Sequence, residues 1–264
     1  MRVRVVAVFA CAVLTAVSAA DAAAQPAAHG HFVAPFNANQ SQNWYGYNQG
    51  ALEKGKSLFH SVSGDWIVPT ASQHSAGKDE YSSTWIGIGG GCVTANCLVT
   101  DNTLIQTGTE QDVSASGTPS YSAWWELIPG PGLTISKFRV SPGDHMHALI
   151  KEPFAGTELW KITLQNLTKG ETFTTTVPYT STYGTAEWIQ ETPLVFGTGG
   201  AGLAALPNLS TNSFSLARAN GKNAGLKTSE EMQLVNSSGS VIGAPSAPNA
   251  TLDGFNLCTW ASTC

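Results

Sequence analysis

Glu158-Leu159-Trp160-Lys161-Ile162-Thr163-Leu164-Gln165-Asn166-Leu167 sets Trp160, Ile162 and Leu164 against Leu159, Lys161 and Thr163. That alternation is the period of a β-strand with one face turned to a core. Thr168-Lys169-Gly170 follows and reads as a hairpin turn into a second strand, Thr172 to Tyr179. Working outward, Tyr81 to Ile88, Leu104 to Thr109, Tyr121 to Ile128, Leu133 to Val140 and His145 to Lys151 have the same β-branched and aromatic character. Pro129-Gly130-Pro131-Gly132 and Pro142-Gly143-Asp144 punctuate them. Thr185 to Glu191 and Ser213 to Ala217 continue the pattern, with weaker strands near Met232 to Val235 and at Val241-Ile242. Short strands at this spacing predict an all-β sandwich or barrel. Ala51 to His60 is expected to form at most a turn or two of helix, and Gly197 to Leu206 a flexible Gly- and Ala-rich loop. There is no long-period repeat and no shift in composition, so one domain is expected.

The chain has 264 residues, 42% of them hydrophobic, enough for a sizeable core. Only 12% are charged, about half the usual share of roughly 25%. Met1-Arg2-Val3-Arg4, an apolar run from Val5 to about Ala19 and the small residues Ala22-Ala23-Ala24 describe a secretory signal peptide. Residues 1–24 are assigned to it, with a cut after Ala19 as the second choice. Residues 25–42 read as an N-terminal arm or short propeptide, and 43–264 as the single domain. Without Arg2, Arg4 and Asp21 the net charge goes from −5 to −6. The expected product is secreted, soluble and monomeric, with no basic patch for nucleic acid and no later apolar run for a membrane. Few basic groups also mean little self-repulsion in acid.

Cys11 leaves with the signal, and four cysteines enter an oxidising compartment. Three pairings are possible, of which the local ones, Cys92 with Cys97 and Cys258 with Cys264, are the simplest. The spacing is not a zinc pattern, and neither a metal nor a cofactor is expected. Gly-x-Ser-x-Gly, His-Glu-x-x-His, phosphate-binding glycine loops and Asp-Thr-Gly pairs are all missing. His145 and His147 alternate around Met146 and should share a strand face, as a surface or pocket-lining pair.

Single polar residues among aromatics mark five segments. They are Asn43-Trp44-Tyr45-Gly46-Tyr47, Trp85-Ile86-Gly87-Ile88-Gly89, Leu104-Ile105-Gln106-Thr107-Gly108, Ala123-Trp124-Trp125-Glu126-Leu127-Ile128-Pro129 and Ala186-Glu187-Trp188-Ile189-Gln190-Glu191. In order and spacing, from Asn43 to at least Glu191, the set resembles the glutamic peptidase (eqolisin) family. That family carries Asn-Trp-x-Gly, Trp-Val-Gly-Ile-Asp, Leu-Gln-Thr-Gly, Trp-Tyr-Glu-Trp-Tyr-Pro and Ala-Glu-Trp-Ile-x-Glu.

The resemblance implies a two-sheet antiparallel β-sandwich of the concanavalin A-like lectin/glucanase type, whose concave sheet holds the site. It implies a polypeptide substrate, with Gln106 and Glu191 as the catalytic pair. Trp44, Trp85, Glu126 and Glu187 take supporting or substrate-binding roles. Strand geometry makes Glu187 a competitor, because it shares a face with Glu191. Trp85 is either cleft wall or core. One departure stands out: Gly89 occupies the place of the family Asp that helps orient the catalytic amide, with Glu110 and Asp112 nearby in sequence.

The chemistry is coherent by itself. Amide hydrolysis by water needs a base for the water, an acid for the leaving nitrogen and a donor for the oxyanion. One carboxyl can be base and then acid, and a carboxamide can donate N–H at any pH. Activity is therefore expected in acid. Two other readings compete on the same sandwich: a glycoside hydrolase using Glu126 and Glu191, and a carbohydrate-binding module with a Trp platform.

Overall fold

A computed structural model describes residues 29–30, 33–37, 39–94, 96–197 and 200–264, so the signal segment and Cys11 lie outside the described residues. Nearly all regular structure is antiparallel strand. The longer strands are β1 (Trp44–Gly50), β2 (Ser61–Ile67), β3 (Ser83–Gly89), β4 (Leu104–Val113) and β5 (Pro119–Ile128). They continue as β6 (His145–Lys151), β7 (Leu159–Asn166), β8 (Glu171–Pro178), β9 (Thr185–Glu191), β10 (Leu194–Gly197) and β11 (Gly200–Leu203). The last four are β12 (Asn212–Ala219), β13 (Glu231–Val235), β14 (Val241–Pro245) and β15 (Phe255–Thr259).

Two layers result. The first sheet runs β1-β9-β3-β4-β5. The second runs β8-β7-β6-β2-β12-β15-β14-β13. Strand β13 also pairs with β1, so the ladder passes from one sheet into the other. The β7–β8 hairpin is the one that the alternation and Thr168-Lys169-Gly170 predict, with Trp160 opposite Val177 and Ile162 opposite Thr175.

The core lies between the sheets. Tyr45, Tyr47, Ile86, Ile88, Ile105 and Trp188 from the first sheet meet Trp66, Met146, Ile150, Trp160, Ile162, Leu164 and Phe214 from the second. Burying each such side chain contributes about 2 kcal/mol or more. Trp188 reaches across far enough for its indole N–H to donate to Ser63 O at 2.8 Å. Strands of the second sheet show a buried face and a wetter one, as in β6 and β7. By contrast, β1, β3 and β9 are buried along their whole length on both faces. The first sheet's outer face is therefore covered, and it carries the polar residues singled out in the sequence.

Some local expectations change. Gly197 to Leu206 is not a plain loop: β10 and β11 form a hairpin, and His29–Gly30 pairs with it. Leu133 to Val140 yields strand only at Leu133–Thr134; seven of those eight residues keep contact with solvent, so little holds them to a sheet. Ala51 to Lys56 forms turns, not helix. Within the N-terminal arm, Pro35–Asn37 and Gln40–Ser41 are short strands, the latter parallel to β13. Both expected local disulfides are present, Cys92–Cys97 and Cys258–Cys264. No helix among the described residues is long and apolar enough to cross a membrane.

Candidate active site

Strand register arranges the outer face of the first sheet in rows. Asn48, Glu187, Gly87, Gln106 and Glu126 stand opposite one another across β1, β9, β3, β4 and β5. The next row of the same face is Gly46, Ile189, Trp85, Gly108 and Trp124, and the third is Trp44, Glu191, Ser83, Glu110 and Ser122. Alternate residues share a face, so every polar residue proposed from the sequence points the same way. These rows hold four carboxyl groups and no Lys, Arg or His.

Glu191 is fully buried and held by N–H donors. The indoles of Trp44 and Trp85 donate to Oε1 and Oε2 at 3.0 and 2.8 Å, and Asn43 Nδ2 donates to Oε1 at 3.2 Å. Trp44 and Trp85 meet edge to face, with ring centroids 4.8 Å apart. Together with Trp124, Ile189 and Met232 they form an apolar cluster on this face, separate from the main core. Trp85 thus belongs to the site face and not to the inter-sheet core. The indoles fix both carboxyl oxygens in direction.

Gln106 Nε2 donates to Glu126 Oε2 at 2.6 Å, and the amide oxygen has no hydrogen-bond partner among the described residues. Gln106 and Glu191 are not hydrogen-bonded to each other. They lie diagonally across the face, with Trp85 on the strand between them. Glu126, expected in a supporting role, is thus the direct partner of the amide.

Glu110 accepts from Ser122 Oγ at 2.7 Å and Asp112 from Ser82 N at 3.3 Å, so neither takes over the orienting role. The backbone explains Gly89: its φ is +91°, and a Cβ there would lie 1.9 Å from Thr103 O. An aspartate does not fit this conformation.

Glu187 shares the row of Gln106 yet is removed from it. Its carboxyl lies under the backbone of Gly91, where a Cβ would come within 2.7 Å of Oε1. Burial, opposed by Thr185 and reinforced by Asp101, holds this carboxyl well above the usual carboxylate range. An acid kept neutral in this way is a poor base.

The peptidase A4 family profile matches residues 42–251. The chain belongs to the peptidase A4 family. This family member is accordingly a peptidase, and the glycoside hydrolase and binding-module readings fall away. A sequence search of curated proteins finds no significant match.

Among solved structures, scytalido-glutamic peptidase bound to a transition state analog inhibitor is similar at TM-score 0.62 and 20% identity, over 83% of this chain and 98% of that one. SCP-B, a member of the eqolisin family in complex with an Ala-Ile-His tripeptide, is similar at 0.58 and 18%, again over 83% and 98%. Aspergilloglutamic peptidase from Aspergillus niger is similar at 0.55 and 24%, over 69% and 99%. At these identities the likeness establishes the sandwich fold of this peptidase A4 member.

Three site features escaped the sequence reading. Asn43 was quoted as part of a motif but not as a ligand of Glu191. Trp124, whose indole N–H donates to Ser83 Oγ at 3.1 Å, enters the sequence analysis only within its motif. Asp101 lies in a segment with no motif, and nothing in the sequence marks it. His145 and His147 do share a face, and both bond the buried Asp65, at 2.8 and 2.6 Å, on the sheet away from the site.

Proposed function

We propose that the protein is a secreted acid endopeptidase in which Glu191 is general base and then general acid, and Gln106 is the oxyanion donor. The observation that carries this reading is the pairing of two anchored groups on one face. Glu191 is fixed by the Trp44, Trp85 and Asn43 donors, and Gln106 is fixed by Glu126.

With the cover over this face displaced, a substrate peptide lies over Trp85 between them. Glu191 takes a proton from a water, whose oxygen attacks the scissile carbonyl carbon. The second N–H of Gln106 Nε2 donates to the oxyanion that forms. Glu191 then passes its proton to the leaving nitrogen as the C–N bond breaks. Gln106 does not titrate, so its donor survives in acid. Glu187, buried and neutral, is not the base.

The test is hydrolysis of an unfolded protein substrate between roughly pH 2 and 7 by the wild type, Gln106→Ala, Glu191→Gln and Glu187→Gln. Activity confined to acid, with Glu191→Gln inactive and Gln106→Ala down about 10²–10³-fold, is expected. A maximum near neutrality, or full activity in Glu191→Gln, overturns the assignment. Secretion is checked by sequencing the N-terminus of the exported protein; retention of residues 1–24 in a product that stays inside the cell overturns it.

A further inference from the structure

Glu187 has no part in the hydrolysis proposed above, yet it is fully buried, and neither of its oxygens has a hydrogen-bond partner among the described residues. Such a group costs stability unless its environment uses it. Its surroundings are built by the loop between β3 and β4, closed by the Cys92–Cys97 disulfide.

Asn48, next to Glu187 in the row, spends its side chain on that loop. Cys92 N donates to Asn48 Oδ1 at 2.9 Å, and Asn48 Nδ2 donates to Cys92 O at 2.8 Å. Asp101 closes the loop from its other end, donating its N–H to Gly91 O at 2.8 Å. The Asp101 carboxylate accepts from Thr103 N and Thr103 Oγ1 at 2.9 Å, from Gly184 N at 3.0 Å and from the Thr182 hydroxyl. The Asp101 carboxyl is thus well supplied with donors, and it disfavours the ionised form of Glu187.

The other neighbours offer no compensation. Thr185, on the same strand, favours the ionised form but does not outweigh burial. Glu191 lies four residues on, and Glu126 stands beyond Gly87 and Gln106 in the row. No Lys, Arg or His forms an ion pair with Glu187 among the described residues.

We propose that Glu187 is an acid latch: protonated, it lets the Cys92–Cys97 loop close over the end of the catalytic row, and its ionisation beside Asp101 lifts that loop away. Glu187 ionises in the unfolded chain at the ordinary Glu range and in the closed protein only well above it. The closed form therefore binds one more proton through that window. Its stability is fully present in acid and falls as pH rises, by up to about tenfold in the opening equilibrium per pH unit. The loop is the local route by which that cost is relieved. This inference holds whichever carboxylate is the base.

The experiment is hydrogen exchange on the full secreted protein across the acid-to-neutral range, with thermal melts alongside, for wild type, Glu187→Gln and Asp101→Asn. In the wild type, amides of residues 89–103 should lose protection on leaving acid while those of β6 and β7 keep theirs, and the melting temperature should fall. Glu187→Gln should hold loop protection nearly constant over the same range, and the wild type should lose melting temperature relative to it as pH rises. If that variant fails to fold, Asp101→Asn decides, by moving loop opening to higher pH. Unchanged loop protection in the wild type, a pH dependence of the same size in Glu187→Gln, or an unmoved opening midpoint in Asp101→Asn overturns the proposal.

Discussion

Gln106 Nε2 lies 2.6 Å from Glu126 Oε2, directly across the β4–β5 ladder, while Glu191 binds two indoles and Asn43. The proposed catalytic amide and the proposed catalytic carboxyl are therefore oriented by separate networks. Glu126 settles which end of the Gln106 amide is nitrogen, and with it the direction of the remaining N–H. The two anchors can be perturbed one at a time.

Glu126→Gln keeps one acceptor oxygen but puts a donor at the other position, so the Gln106 amide can turn over. A fall in kcat of about 10- to 100-fold with little change in KM is expected, short of the 10²–10³ for losing the oxyanion donor outright. Steady-state kinetics at acid pH on a quenched peptide would measure it. A change confined to KM would place Glu126 in substrate binding instead.

Trp85→Phe keeps a ring on the site face and deletes the N–H on Glu191 Oε2. Leaving a buried acceptor short of a donor costs about 1–3 kcal/mol. Lower thermal stability and a drop in kcat should appear together. Trp44→Phe should behave similarly but more mildly, since Asn43 shares its oxygen.

Gly89→Asp restores the residue that the family carries at this place, and here it should harm the protein. Its φ of +91° and the 1.9 Å approach to Thr103 O leave no room for any side chain. Expression with a melting temperature several degrees lower, and no gain in kcat/KM, is expected. A more active variant would show that the β3–β4 turn adapts.

Asp144 provides the opposite pH limb to Glu187. Burial alone would raise its carboxyl, but bonds from Lys169, Asn166 and the Ser141 N–H outweigh that and hold it below the usual range. Its contribution is present above the ordinary Asp range and is lost as pH falls toward its lowered value. Asp144→Asn should therefore be less stable than wild type near neutrality, with the gap closing in strong acid. Melting temperatures along a pH series would check it; a gap that widens in acid would contradict it.

Much of the frame was readable because β6, β7 and β8 have one face in the core and one in water, so their side chains alternate. The common face of Glu187 and Glu191 also followed from parity along their strand. Register between strands is a different matter. That Gln106 stands opposite Glu126 depends on the length and shape of the β4–β5 connection, and no periodicity encodes it. Nor could parity separate Glu187 from Glu191. The difference is made by Gly91 and Asp101, which arrive from a loop with no motif. The β10–β11 hairpin was missed for a related reason. Its glycines carry no strand propensity, and its pairing is supplied by context.

The cluster of Trp44, Trp85 and Trp124 has one last consequence. Two of the protein's eight tryptophans hold the oxygens of Glu191 by their N–H groups, and a third packs beside them. Indole emission responds to a carboxyl gaining or losing a proton at contact distance. The centre thus carries its own optical reporter, and fluorescence followed against pH without any substrate would display a change at the group proposed as the base.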